Sequence, residues 1–132
     1  MKSSVLDSYA VLSFLFRERG HEKMLDLFEG AIQGDQVFLI AAPNWAEIRY
    51  MVERKAGAAR WQEARQKLLG LPIEIIPADQ SLAELAGEIK AVKKMSLADC
   101  FAAALAKEAE ADLCTGDPEF KAMEKELRIV WL

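Results

Sequence analysis

The sequence predicts one α/β domain spanning residues 1–132, with a central parallel sheet of four to five strands and helices on both faces, in three layers. Three observations predict it. Short apolar runs recur between longer stretches whose apolar residues fall at helical spacing. One of them, Val37-Phe38-Leu39-Ile40, is apolar throughout, as in a strand covered on both faces. The length of 132 residues suits a single core, and no repeat, low-complexity tract or linker interrupts it.

The elements follow in order. Ser3-Ser4-Val5-Leu6-Asp7 reads as a short strand ending in an acid. Ser8 to Arg17 places Ala10, Val11, Phe14 and Leu15 on one helical face, and Gly20 breaks the pattern. Glu22 to Ile32 is a second helix carrying Leu25, Phe28 and Ile32, followed by the turn Gln33-Gly34-Asp35-Gln36 and the strand Val37–Ile40. Pro43 sits as the first residue of a helix running to about Lys55. Gly57 separates it from a helix over residues 58–69, which Gly70 and Pro72 end. Ile73-Glu74-Ile75-Ile76 is the third strand, closed by Pro77. Helices over Asp79–Val92 and Leu97–Ala109 precede the strand Asp112-Leu113-Cys114-Thr115. Asp117-Pro118 opens a short helix, and Arg128–Leu132 is the last strand. In such sheets ligands sit beyond the carboxyl ends of the strands, where the strand order reverses.

Composition removes several functions. No apolar run approaches the roughly 20 residues that cross a bilayer. The first acid, Asp7, comes too early for a secretory leader, so the expected location is the cytoplasm. Cys100 and Cys114 lack metal-type spacing and read as buried free thiols. The single histidine, His21, follows Gly20 at a helix start and reads as a surface or capping residue, which leaves little room for a Ser-His-Asp or Cys-His-Asp triad. The net charge of −4 argues against coating nucleic acid by bulk electrostatics. The charge is unevenly spread: Arg49, Arg54, Lys55, Arg60, Arg65 and Lys67 face only Glu53 and Glu63, a local +4 that leaves −8 for the rest. That stripe is either a solvated helix face or a grip for phosphates beside an acidic pocket.

Four acids carry the chemistry. Singly each has a structural explanation. Asp7 and Asp117 stand where helix-capping residues stand, Asp99 is three residues after Ser96 in a capping-box pattern, and Glu47 lies near a helix start that favours an anion. Jointly they all fall at the carboxyl edge of the sheet, Asp7 and Asp117 after strands, Glu47 and Asp99 in first helical turns. Four converging carboxylates repel one another, and a divalent cation removes that penalty. Oxygen ligands without cysteine or histidine point to Mg²⁺ or Mn²⁺ rather than zinc.

The segments Val5-Leu6-Asp7-Ser8, Trp45-Ala46-Glu47, Met95-Ser96-Leu97-Ala98-Asp99-Cys100 and Cys114-Thr115-Gly116-Asp117-Pro118-Glu119-Phe120 resemble the acidic motifs of the PIN-domain nucleases. Within that family the chain is similar to the toxin ribonucleases of VapBC-type toxin–antitoxin pairs, from about residue 4 to the end and with the motifs in order. The resemblance implies a PIN-like fold and a Mg²⁺-dependent (or Mn²⁺-dependent) ribonuclease. It implies Asp7, Glu47, Asp99 and Asp117 as catalytic residues, with Asp7, Asp99 and Asp117 on the metal. Ser8 and Thr115 match the small polar residues that orient the carboxylates, and Glu119 falls where relatives carry a further acid. It also implies an RNA substrate, products with a 5′-phosphate and a 3′-hydroxyl, a homodimer and a cognate antitoxin that inhibits it.

Arg49, Lys93 and Lys94 lie close in sequence to the acids and are candidates for RNA phosphate contacts, or else for solvated helix surface. Trp45, Trp61 and Trp131 are read as core or dimer packing rather than base-stacking platforms. Rival functions fare worse. A haloacid-dehalogenase-type site would want an Asp two residues after Asp7, where Tyr9 stands, and a receiver-type domain would want paired acids and a late lysine that are missing. Another metal-dependent phosphohydrolase, or a PIN-like assembly module without catalysis, is the remaining alternative.

Overall fold

The computed structural model describes residues 3–132. Among them five strands, β1 (Ser4–Leu6), β2 (Phe38–Ala41), β3 (Ile73–Ile76), β4 (Asp112–Thr115) and β5 (Ile129–Trp131), form one sheet in the order β3-β2-β1-β4-β5. Every pairing is parallel. Six α-helices connect them: α1 (Ser8–Leu15), α2 (His21–Gln33), α3 (Ala42–Ala56), α4 (Ala58–Leu69), α5 (Gln80–Val92) and α6 (Leu97–Glu108). A 3₁₀ helix, Pro118–Met123, lies between β4 and β5.

The layers follow from the two-residue period of the strands. In β1, Val5 joins one apolar core and Leu6 the other; in β4, Leu113 and Cys114 divide the same way. The first core is closed by α5, α6 and Phe120 and Met123 of the 3₁₀ helix. The second is closed by α1, α2, α3 and α4, with Phe14, Phe28 and Phe38 in successive edge-to-face contacts. Residues 99–106 of α6 are all buried, and its alanines at 102, 103, 104 and 106 let it pack on all sides.

Several element ends differ from the sequence reading, each for a local reason. Asp7 does not belong to β1: its carboxylate accepts the Ala10 N–H at 2.8 Å and so caps α1. Asp79 likewise caps α5 rather than starting it, accepting from Leu82 N–H at 2.9 Å. Helix α1 ends at Leu15, two residues before the expected Arg17, whose φ of 51° is left-handed. Helix α3 starts at Ala42, so Pro43 is its second residue, where the missing N–H costs nothing because the first-turn N–H groups have no intrahelical partner. β5 is trimmed to Ile129–Trp131. Gly57 (φ 93°) makes the break between α3 and α4 that its sequence position suggested.

Strand order reverses beside β1. The chain runs outward through β2 and β3, then returns to place β4 on the other side of β1 and β5 beyond it. The register aligns Leu6 with Cys114, so the residues that follow these strands emerge side by side. These are Asp7 after β1 and, after the last β4 residue Thr115, Gly116 and Asp117.

Candidate active site

Asp7 is the deepest acid, 1% exposed. One of its oxygens caps α1, and the other accepts a hydrogen bond from the hydroxyl of Thr115, itself fully buried. The same Thr115 oxygen accepts the N–H of Asp117 at 3.0 Å. Thr115 thus joins the carboxyl edges of β1 and β4 and fixes the approach of Asp117. The Asp117 carboxylate in turn accepts the Glu119 N–H at 2.9 Å and starts the 3₁₀ helix.

Asp99 stands in the first turn of α6, where the hydroxyl of the capping residue Ser96 accepts its N–H at 3.1 Å. Carboxylate oxygens of Asp99, Asp117 and Glu119 all lie within 4.8 Å of one another, with Asp99 buried, Asp117 half-buried and Glu119 exposed. Asp7 lies outside that trio but senses the charges of Asp99 and Asp117. Glu47, on α3, is half-buried at the rim, accepts the Tyr50 hydroxyl at 3.3 Å and contributes to the field on Asp99. Of the four acids expected from the sequence, Asp99 and Asp117 come together, while Asp7 and Glu47 stand outside the trio and are linked to it by charge. Glu119, the weaker candidate by sequence, takes a place in the tight trio beside Asp99 and Asp117.

Electrostatics mark the same place. Burial, reinforced by the charges of Asp99 and Asp117, pushes Asp7 up to about 7 against the pull of the Thr115 and Ala10 hydrogen bonds. Burial and the neighbouring Asp117, Glu119 and Glu47 push Asp99 up to about 7 as well. No Lys or Arg among the described residues pairs with any of the five acids. The carboxylates of Asp99, Asp117 and Glu119, within 4.8 Å of one another and without a paired Lys or Arg among the described residues, fit a hard divalent cation.

Two further residues shape the site. Asn44, fully buried on α3, donates from its amide nitrogen to the Ala98 carbonyl at 3.1 Å and to the Ser8 hydroxyl at 3.3 Å. Its signal was legible: Asn44, Ile48 and Val52 recur every fourth residue, a polar group on a buried stripe. Tyr9 lies across Gly116, so that a methyl at Gly116 would fall inside its ring. Gly116→Ala must displace either Tyr9 or the Thr115–Asp117 turn, and is expected to weaken Mn²⁺ binding by ~10-fold or more, as losses of ligand-orienting groups do. Calorimetry checks this, and adding Tyr9→Ala to make room should restore most of the affinity.

The basic candidates are mostly engaged. Lys93 pairs with Glu126 at 3.0 Å and donates to the Ala122 carbonyl at 3.1 Å. Arg49 pairs with Glu53 at 2.9 Å and lies over the Trp61 ring. Arg54 covers Tyr50, Lys55 covers Phe16, and Lys67 covers Phe14. Lys94 is exposed beside α6. Trp61 is buried against Trp45 in core packing, and Trp131 packs on the opposite core. Both thiols are buried and free, and burial raises both, Cys114 to about 12. His21 stacks on Phe14 and its Nδ1 lies 3.0 Å from the Phe14 carbonyl, a bond that fastens α2 to α1.

Residues 4–126 match the family model of the PIN domain. A search of curated proteins by sequence finds no match. Among solved structures, the chain is similar to VapBC2 of Rickettsia felis bound to a promoter DNA fragment, with a TM-score of 0.77, 18% identity and 98% of each chain covered. It is similar to the DNA-bound VapBC of Salmonella typhimurium (TM-score 0.77, 17% identity, 98% of each chain). It is also similar to the sarcin-ricin-loop-cleaving toxin VapC20 of Mycobacterium tuberculosis (TM-score 0.75, 15% identity, 90% of this chain and 93% of that one).

Proposed function

The chain belongs to the PIN domain family, and we propose that it is a Mg²⁺- or Mn²⁺-dependent endoribonuclease, the toxin of a toxin–antitoxin pair. The observation that carries the reading is the carboxylate trio of Asp99, Asp117 and Glu119 with buried Asp7 beside it, at the reversal of strand order. Asp7, Asp99 and Asp117 would hold the cation, with Glu119 as a further ligand. When bound, the cation supplies an acidified water, polarisation of the phosphoryl oxygen and screening of the pocket from an incoming phosphate. The chain's own groups do the rest. Thr115 and Ser8 keep the carboxylates in place. Glu47, at the rim where it accepts the Tyr50 hydroxyl, would orient the attacking water and take its proton as the new phosphorus–oxygen bond forms; the phosphorus–O3′ bond breaks and O3′ leaves, protonated from solvent, which gives a 5′-phosphate and a 3′-hydroxyl. Lys94 and Arg49 steer the RNA backbone, Arg49 by exchanging its exposed pairing with Glu53.

The toxin role rests on the resemblance of the motifs and on the fold shared with VapBC toxins. A groove of about 670 Å³ is lined by Leu12, Phe16, Tyr50 and Met51 together with the charged Glu18, Glu47, Arg54 and Lys55. It suits an antitoxin segment that places apolar side chains in the groove and an arginine over the acids. A cytoplasmic homodimer completes the reading; no helix among the described residues is long and apolar enough to cross a membrane.

The test is cleavage of a total-RNA sample by purified protein with Mg²⁺, Mn²⁺ and excess EDTA. Cleavage only with metal, and loss of growth on expression that is relieved by the gene encoding the antitoxin, is the expected result. A histidine control separates this from metal-free chemistry. His21→Ala should lose about 1 kcal/mol of stability with its hydrogen bond, seen in a denaturant melt, and leave the cleavage rate unchanged. Cleavage that survives EDTA but vanishes in His21→Ala would overturn the reading.

A further inference from the structure

We infer that Asn44 is a positioning residue that sets the separation of the acids across three elements; the inference rests on reading those acids as a metal site. One amide group ties three pieces of chain together. Its nitrogen donates to the Ala98 carbonyl, adjacent to Asp99, and to the Ser8 hydroxyl, adjacent to Asp7. The Ser8 hydroxyl also lies 3.4 Å from the Asn44 carbonyl and donates to it, and Glu47 follows one helical turn later on α3. The amide orientation is fixed chemically, because a backbone carbonyl only accepts and the nitrogen must face Ala98.

The fold itself does not ask for this residue. Asn44 occupies a buried stripe whose other members, Ile48 and Val52, are apolar. Its Oδ1 is buried with no hydrogen-bond partner, a cost that leucine would not carry. The edge it braces is where like charges push α1, α3 and α6 apart, Asp7 and Asp99 each feeling the other acids. An unpaired buried acceptor retained at the seam of that repulsion is explained by the bridge, which resists splaying of the acids.

The experiment uses Asn44→Leu in the whole chain, with Mn²⁺ calorimetry and thermal melts without metal. The expected result is Mn²⁺ binding ~10- to 100-fold weaker, the range for lost ligand-orienting groups, with a metal-free melting temperature equal to or above wild type. A residue that only holds the fold would lower both together. Wild-type affinity in a folded Asn44→Leu overturns the inference. Should that variant not fold, Asn44→Ser and Ser8→Ala, which break the bridge with less change in packing, are read in the same way. Absence of Mn²⁺ binding by the wild type refutes the metal reading itself, a separate outcome.

Discussion

Asp99→Asn is expected to reduce Mg²⁺-dependent RNA cleavage by on the order of 10³-fold or more, because residues that act on one centre fail as a unit. The same substitution should raise the melting temperature of the metal-free protein. Asp99 is buried and surrounded by Asp117, Glu119 and Glu47, and its amide replacement keeps the shape while removing one of the repelling charges. Its backbone N–H still reaches Ser96, so the start of α6 is preserved. Asp117→Asn should lose activity similarly, since Asp117 shares the trio. Asp7 needs more care. Asp7→Ala removes the cap on Ala10 as well as a carboxylate, a loss of ~1 kcal/mol, whereas Asp7→Asn keeps an oxygen for the cap. The exposed Glu119 should matter less, and Glu119→Gln separates a helper from an essential ligand. In growth assays the wild type should arrest cells and the Asp7, Asp99 and Asp117 variants should not. Full cleavage by a folded Asp99→Asn would remove the central claim.

Much of this arrangement was legible in the sequence because it depends on local rules. The continuous apolar run at 37–40 reads as a strand covered on both faces, Ile73-Glu74-Ile75-Ile76 as a short strand closed by Pro77, and the glycines at 57 and 70 fall where helices end. Asp7, Asp99 and Asp117 each stand at an element boundary, and boundaries at one sheet edge converge by topology. What escaped was set by packing between distant segments. Glu119 was named only through the resemblance; that it stands with Asp99 and Asp117 depends on how the Asp117 cap turns the 3₁₀ helix. The pinning of Lys93 depends on Glu126 and the Ala122 carbonyl, roughly thirty residues away and on no shared helix. Asn44 was overlooked for a different reason: its periodicity places it inside, but its partners Ser8 and Ala98 belong to other helices. The dual role of Asp7, as cap and as candidate ligand, shows that a structural reading of an acid does not compete with a chemical one.

Metal affinity should climb steeply with pH up to about 7 and then flatten. Asp7 and Asp99 both sit at about 7, raised chiefly by burial and then by neighbouring acids, Asp99 and Asp117 for Asp7, and Asp117, Glu119 and Glu47 for Asp99. Below that pH the folded protein holds protons on carboxyls that must be shed before a cation can bind. Each proton released steepens binding by ~10-fold per pH unit, so two give up to ~100-fold per unit well below 7. The protons leave in steps that belong to the coupled acids rather than to either residue. The metal-free fold should respond in the opposite sense. Between about 4, the ordinary carboxyl value, and about 7, the folded state holds protons that the unfolded state has lost, so stability falls as pH rises through that window. Saturating Mn²⁺ should offset that fall and leave the melting temperature higher at pH 8 than without metal. Asp7→Asn should halve the slope of log affinity against pH by removing one titrating group. Thermal melts across pH 4–8 with EDTA and with Mn²⁺, and calorimetry in buffers of different ionisation heat to count protons, provide the measurements. Binding that releases no proton at pH 6, together with metal-free stability that rises from pH 5 to 7, would show that these acids are not the ligands.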